Sequence, residues 1–342
     1  MKVFYEELKR LTTKKLMKAG LLKKDAEKVA DCYATADLYG VSSHGVAILP
    51  THLKKLTAGG YNLSPTFPIV REGGSFQVVD GDNAIGVLSA LHCVDLAING
   101  AEKNGLFAVN SFHNNTLGPA FYYALEMAKK GCVGIVLCNS PAQMTAPNGK
   151  SKLLGTNPLS IAIPNGEKPI VLDMATSAVA KSKIKQMKEN GERIPLGWAV
   201  DEKYQPTQDA EEALKGYVLP MAGFKGYGLA MMIDVLAGVL SGAGYLDNVG
   251  RFYSPDFACM NVGFSFIAID PRQTYGEGFE TLMQSYVNRI ETDERVDESK
   301  EIALPGFDRL KNKENNEKNG IEIDDELYVF LKDGGGEKCS LV

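Results

Sequence analysis

The 342-residue sequence carries only four histidines: His44, His52, His92 and His113. Two of them stand where an imidazole could move a proton. Ser43-His44-Gly45 reads as the start of a helix, and a helix N-terminus disfavours an imidazolium nearby. A histidine tuned in this way can give a proton to a ketone oxygen as a hydride arrives at carbon, with Ser43 orienting the ring or binding the substrate. His113 ends the strand-like run LFAVNSF, ahead of Gly118, and an imidazole, whose unperturbed pKa lies near 6.5, suits the same task. Each has a plainer reading, a capping serine beside an incidental histidine in one case and a loop histidine bonded to backbone in the other. His52 falls two turns beyond His44 and could line the same cleft. His92, beside Cys93 in an apolar run, reads as core. There is no GxSxG elbow for a serine hydrolase, and no HExxH or Cys/His cluster to hold zinc.

Three segments could receive an anion. The run DMATSAVAKSK (173–183) brings Asp173, Met174 and Ala175 to the end of an apolar strand. Thr176 and Ser177 then stand where they could cap a helix, with Lys181 and Lys183 in its first turns. Ligands of α/β folds collect at such strand ends, and free amides at a helix start suit a pyrophosphate. GFKGYG (223–228) offers close backbone approach at Gly226 and a charge at Lys225, with a long apolar helix behind. Its glycines follow neither the GxGxxG fingerprint of a Rossmann fold nor a P-loop. GTNP (155–158) supplies a hydroxyl and an amide, Thr156 and Asn157, at a strand start. Taken alone, these segments also read as a capped helix with solvated lysines, a tightly packed helix entry and a turn.

Helical periodicity predicts helices over 2–19 and 24–39, stopped by Gly20 and Gly40, and a third one capped by Ser42 or Ser43. From 75 onward strands and helices mix. Strands are expected at 75–80, 106–112, 132–139, 159–164, 169–174 and 263–270. Helices are expected at 86–103, 119–130, 177–190, 226–241, 276–293 and 321–332. The polar, Asn/Lys-rich stretch 308–320 reads as an exposed loop. No internal repeat is visible.

The composition is that of a globular protein, 44% hydrophobic and 23% charged. A net charge of −5 argues against nucleic acid as a partner. No run is long and apolar enough to span a membrane, and the charged start MKVFYEELKRLTTKK lacks a signal-peptide core, so a cytoplasmic protein is expected. The six scattered cysteines form no CxxC pair. Cys339 stands four from the end, as in a prenylation box, yet Ser340 is not aliphatic and no polybasic stretch precedes it, so a free tail is expected.

In their order along residues 1–310, ADLYGVSSHGVAILP, the His113 loop, LLGTNPLSIAIP, VLDMATSAVAKSKI and LPMAGFKGYGLAMMIDVLAGVLSGAG together resemble the type-2 malate/L-lactate dehydrogenase family. The resemblance implies an α/β fold whose cofactor domain is a mixed, non-Rossmann sheet (66–294). A helical domain is formed by 1–65 with 295–335, and 336–342 make a flexible tail. It implies a homodimer and NAD or NADP held against Asp173 to Ser177, Lys181, Lys225-Gly226 and the Pro305-Gly306 turn. The reaction implied is hydride transfer to C2 of a small 2-oxo acid, or from the 2-hydroxy acid. His44 ranks first as proton donor with Ser43 beside it, His113 second, and His52, Thr156 and Asn157 toward the substrate.

The chain departs from the family pattern at four places. Ile48 stands where an arginine clamps a substrate carboxylate, and His52 where a tyrosine is usual. His113-Asn114-Asn115 replaces HFG, and Phe307 follows Pro305-Gly306 in place of glutamate. A cyclic-imine, ureidoglycolate or diketogulonate substrate is therefore an alternative, as is a relative that binds the dinucleotide without catalysis.

Overall fold

The apolar runs FQVVD, LFAVNSF, VGIVLC and GFSFIAI become the middle of a seven-stranded sheet in a computed structural model that describes residues 1–333. The elements in chain order are Lys2–Val3 (β1), Tyr5–Lys18 (α1), Lys23–Leu38 (α2), Leu49–Thr57 (α3), Ile69–Gly73 (β2), Phe76–Asp80 (β3), Gly86–Asn104 (α4), Leu106–Asn114 (β4), Ala120–Lys129 (α5), Val133–Cys138 (β5), Met144–Thr145 (β6), Lys152–Leu154 (β7), Leu159–Ile163 (β8), Ile170–Met174 (β9), Lys181–Glu189 (α6), Ala199–Val200 (β10), Ala210–Lys215 (α7), Tyr217–Val218 (β11), Phe224–Ile233 (α8), Val262–Ile269 (β12), Pro271–Thr274 (α9), Phe279–Glu291 (α10), Phe307–Asn319 (α11), Ile321–Glu322 (β13) and Asp325–Lys332 (α12). The expected flexible tail at 336–342, with Cys339, lies outside the described residues.

The large sheet runs β2-β3-β4-β12-β5-β8-β9. Only β3 and β4 pair in parallel; every other adjacent pair is antiparallel. The doubly wound parallel sheet of a Rossmann domain is thus absent among the described residues, and the mixed α/β sheet expected from sequence is present. Late strand β12 is inserted between β4 and β5. Strands β3, β4, β5 and β9 consequently point the same way and bring Asp80, Asn114, Cys138 and Met174 to one edge.

Helices α4 and α5 cover the sheet, and the N-terminal helices pack on them. One continuous core runs from Leu8 and Leu16 of α1 through Tyr33, Tyr123 and Phe264 to Leu331 of α12. The chain ends are tied by β1 against β13 and by the N-terminal ammonium on Asp325. A second, smaller core gathers Met144, Leu154, Ile184, Ile194, Ala213 and Val218 beside α8.

Several sequence expectations are corrected. The 308–320 stretch is helical, as α11. Its apolar content is low, but Gly306 at φ +86° sets its entry and Asn316 Nδ2 donates to Leu38 O at 2.9 Å. Lys313 and Glu317 pair along it at 2.9 Å. The helix after Asp173 begins at Lys181, not at Ser177, because 175–180 turn away to bond with 156 and 219–221. Neither Ser42 nor Ser43 caps α3, which starts at Leu49 after two short 3₁₀ turns. The long apolar helix at 226–241 splits into α8 and a π-helical segment over Asp234–Val239. The helix expected at 276–293 forms as α10 over Phe279–Glu291, and neither the short α9 ahead of it nor the exposed edge strand β2 follows from the sequence reading.

Candidate active site

The strand edge that ends β3, β4, β5 and β9 gathers most of the residues of interest. At β4, His113 adopts φ +55°, a costly conformation for a bulky residue. Two contacts hold it there. Its N–H donates to Asn261 Oδ1 at 2.8 Å, and its Nδ1 lies 3.0 Å from Asp80 Oδ1. A carboxylate accepts and never donates when ionised, so Nδ1 carries the proton and Nε2 is the nitrogen left for a ligand. The ring stays 43% exposed and the Asp80 side chain 27%. Asp80 was missed in the sequence, although FQVVD ends in an acid at a strand terminus just as IVLDM does.

Behind His113, Asn115 is fully buried and accepts from Lys55 Nζ at 2.7 Å. The same ammonium donates to Ala258 O at 2.6 Å. Cys259 follows, its thiol pushed up by burial.

At β9 the segments expected to hold an anion do converge. Thr176 N and Oγ1 both donate to Thr156 O at 2.9 Å, and Met221 N donates to Thr176 O at 3.0 Å. Gly226 N donates to Met221 O at 2.9 Å, and a methyl group on Gly226 would meet Thr176 O and Met221 O at 2.5 Å. Only glycine permits that approach. The amides of Thr176 and Gly226 are therefore bound within the protein and are not free for phosphate. Ser177 Oγ turns back to Val179 O at 2.8 Å. Met174 and Ala175 remain half-buried beside the junction, and Lys225 is exposed on it. Lys181 is half-buried, bonds Gln143 Oε1 at 2.9 Å, and its proton affinity is lowered by burial and by Lys152 and Arg251.

Pro305 and Gly306 join the same strand, since Val171 N donates to Pro305 O at 3.2 Å. Three residues on, Arg309 places Nη1 2.7 Å from Asp173 Oδ2, with its guanidinium over the Phe121 ring at 5.0 Å. Arg309 sits in the stretch read as a loop, which hid it. His44 belongs to this cluster. Burial lowers its proton affinity first; nearby Asp173 opposes that and Arg309 adds to it. The residue is exposed, and its Nδ1 meets Ser43 Oγ at 2.9 Å.

Two expected substrate residues lie elsewhere. His52 is fully buried, held by Tyr33 Oη at 2.7 Å and Tyr61 Oη at 2.8 Å, with both ring nitrogens taken. Burial, aided by Lys55, lowers its pKa to about 3. It is a core histidine and lines no cleft. Asn157 is likewise buried, its amide donating to Ala230 O at 2.9 Å and accepting from Ser140 N at 3.0 Å. It shapes the loop without facing solvent. His92 is half-buried and stacks on Phe67 at 5.2 Å. Among the described residues no group of His, Cys, Asp and Glu could hold a metal.

His113 and Asp173 lie on strands separated by β12, β5 and β8, four spacings or about 19 Å across. A dinucleotide can span that distance. The chemistry of the edge fits it: cations and a tight glycine turn at the β9 end, a carboxylate–imidazole pair at the β4 end.

Residues 3–332 match the sequence model of the malate/L-lactate dehydrogenase family. The chain is 36% identical over 327 residues to malate dehydrogenase of Pyrococcus abyssi, covering 93% of this chain and 90% of that one. It is 34% identical over 329 residues to malate/(S)-sulfolactate dehydrogenase of Methanothermus fervidus, covering 96% and 95%. Its fold is similar to the solved sulfolactate dehydrogenase of Methanocaldococcus jannaschii, with TM-score 0.90 and 35% identity over 97% of this chain and 96% of that chain. Sequence, fold and strand-edge chemistry agree: the chain belongs to the malate/L-lactate dehydrogenase family, an oxidoreductase family of small hydroxy acids.

Proposed function

We propose that the protein interconverts a small 2-oxo acid and its 2-hydroxy acid, of the malate or lactate type, with NADH or NADPH. When bound, the nicotinamide supplies the hydride that C2 accepts. Asp80 holds His113 through Nδ1–H; the doubly protonated ring gives its Nε2 proton to the C2 oxygen and is left as the neutral Nδ1–H imidazole. The net change is one 2-oxo acid, one reduced cofactor and one proton becoming a 2-hydroxy acid and oxidised cofactor. The single observation that carries this assignment is the 3.0 Å Asp80–His113 contact at the strand edge. It favours His113 over His44, whose Nδ1 is engaged by Ser43 and which stands beside Asp173 and Arg309. In this reading His44, Asp173, Met174, Ala175, Lys181, Lys225 and the Pro305-Gly306 turn hold the cofactor, on a wall shaped by Thr156, Thr176, Ser177 and Gly226. Hydride transfer and protonation stay within one site.

Ile48 in place of arginine keeps the alternatives of a cyclic imine, ureidoglycolate or diketogulonate open as substrates. Steady-state oxidation of NADH and of NADPH with oxaloacetate, pyruvate, 3-sulfopyruvate, 2,3-diketogulonate and piperideine carboxylate tests the reading. Turnover of a 2-oxo acid that falls at least a hundredfold in His113→Gln is expected. Tight cofactor binding with no turnover of any compound overturns the enzyme assignment.

A second copy is proposed to cover the apolar face of α8 and its π-helical extension. Phe224, Met232, Val239 and Leu240 are exposed along it. No helix among the described residues is long and apolar enough to cross a membrane.

A further inference from the structure

A buried ammonium lies under the His113 turn and has no part in the reaction just described. Lys55 is 1% exposed, and its nitrogen donates to Asn115 Oδ1 at 2.7 Å and Ala258 O at 2.6 Å. Neither acceptor is a carboxylate, and no ion pair to Lys55 occurs among the described residues. The Tyr61 ring lies 5.0 Å from it. A cation placed this way is expensive to bury, and a chain that needed only a filler would use methionine or leucine.

The two acceptors belong to the two loops that fix His113. Asn115 follows His113 by two residues, accepts from Met260 N at 3.3 Å, and donates to Asn83 Oδ1 and Ala84 O at 2.9 Å. Ala258 leads into Asn261, whose side chain holds the His113 N–H. Lys55 is thus the tie between the loop that carries the imidazole and the loop that grips it. Ile48, at the end of the 3₁₀ turn that precedes α3, stands seven residues earlier in the chain, where the family pattern has arginine.

We propose that Lys55 is a positioning residue for His113: its ammonium clamps the Asn115 turn to the Ala258 loop and sets one positive charge beneath the His113 turn. The proposal rests on His113 being the proton-transferring group. An anionic substrate, a carboxylate beside the reacting carbonyl, is the ligand class that such a charge favours. The other ionisable groups about these two residues are Asp80 on β3, Cys259 and Asp256 in the following loop, and Tyr61 and His52 around the ammonium.

The test uses the full chain as wild type, Lys55→Gln, Lys55→Met and Lys55→Arg. Reduced-cofactor titration by fluorescence checks that each variant is folded, with dissociation constants within about twofold of wild type because the cofactor-holding residues lie at the far end of the edge. The His113 C2 proton is followed by NMR from pH 5 to 9, assigned with His113→Gln. Loosening of the clamped turn moves the His113 C2 resonance and its midpoint in the Gln variant, and Arg returns both toward wild type. With a 2-oxo acid that is turned over, KM rises about tenfold in Lys55→Gln while kcat changes less than about threefold. A folded Gln variant with an unmoved His113 midpoint overturns the proposal; should Gln not fold, the Met variant decides by the same criterion. If no 2-oxo acid is turned over by wild type but the midpoint still moves, the positioning role stands and the proposed reaction falls.

Discussion

The carboxyl group of Asp37 lies directly beneath Gly45: a β-carbon on Gly45 would stand 2.1 Å from Asp37 Oδ1. Asp37 Oδ2 accepts the Val46 N–H at 2.8 Å, so the end of α2 and the His44 turn are pressed together. Gly45→Ala cannot be accommodated without moving one of them. A loss of about 1–3 kcal/mol in urea unfolding is expected, as for other overpacked sites, together with weaker cofactor binding as His44 shifts. An unchanged unfolding midpoint would mean that Asp37 swings aside.

The same carboxyl shapes stability against pH. Burial pushes Asp37 up to about 7, with Val46 N–H only partly offsetting it. From about pH 4 to 7 the native state keeps a proton that the unfolded chain has lost, so this group makes stability fall as pH rises. His52, lowered to about 3 by burial, acts in the opposite sense. From about pH 3 to 6.5 the unfolded chain holds a proton that the native state refuses, and stability rises with pH. Each slope is about 1.4 kcal/mol per pH unit, and the two oppose one another between about pH 4 and 6.5. Asp37→Asn removes the falling slope, so its stability should climb over that range and exceed wild type at pH 8. Urea unfolding at pH 4.5, 6.5 and 8 measures this; parallel curves for the two proteins would refute it.

Asp80→Asn keeps the shape beside His113 but offers an amide in place of a carboxylate at 3.0 Å. The imidazole loses the partner that fixes its tautomer. A fall in kcat/KM of about ten- to a hundredfold is expected, with cofactor affinity preserved. Equal activity in the two proteins would remove the pair from the reaction.

Arg309→Met leaves Asp173 without its 2.7 Å partner. Arg309 lowers the proton affinity of His44 and Asp173 raises it. With the guanidinium gone, the His44 midpoint should move to higher pH, readable by NMR of the four histidines. A stationary midpoint would uncouple His44 from the pair.

Leu240→Glu puts a charge into the exposed apolar face beyond α8. If a second copy covers that face, sedimentation velocity should show the variant at half the mass of the wild-type particle. A wild-type particle of single-chain mass would dispose of the dimer.

Much of this architecture is legible in the residues because local signals and burial agree. FQVVD, LFAVNSF and GFSFIAID are apolar, β-branched and flanked by turns, and they form β3, β4 and β12. The convergence of Thr156, Thr176 and Gly226 also follows the motifs, although the amides presumed free are spent on one another, since a tight glycine approach serves packing as readily as ligand binding. What stayed hidden depends on contacts distant in sequence. α11 is a polar stretch whose helix is stabilised by Asn316 on the end of α2 and Arg309 on β9. Its residues carry no apolar stripe to reveal that. His52 looked like a cleft residue by helical spacing, yet its face of α3 turns toward Tyr33 and Tyr61. Asp80 acquires its role only because β3 and β4 are parallel neighbours, a pairing no spacing rule encodes.

Strand β12 enters the sheet late yet occupies its centre. During synthesis β4 and β5 leave the ribosome long before the residues that must bridge them, so each waits with an unpaired backbone edge. A nascent chain halted near residue 255 would hold two half-sheets with a slot between them, a target for chaperones and for wrong partners. Knitting the β1–β13 clasp needs the chain almost to its end, so quality control of this protein is a question of its last third.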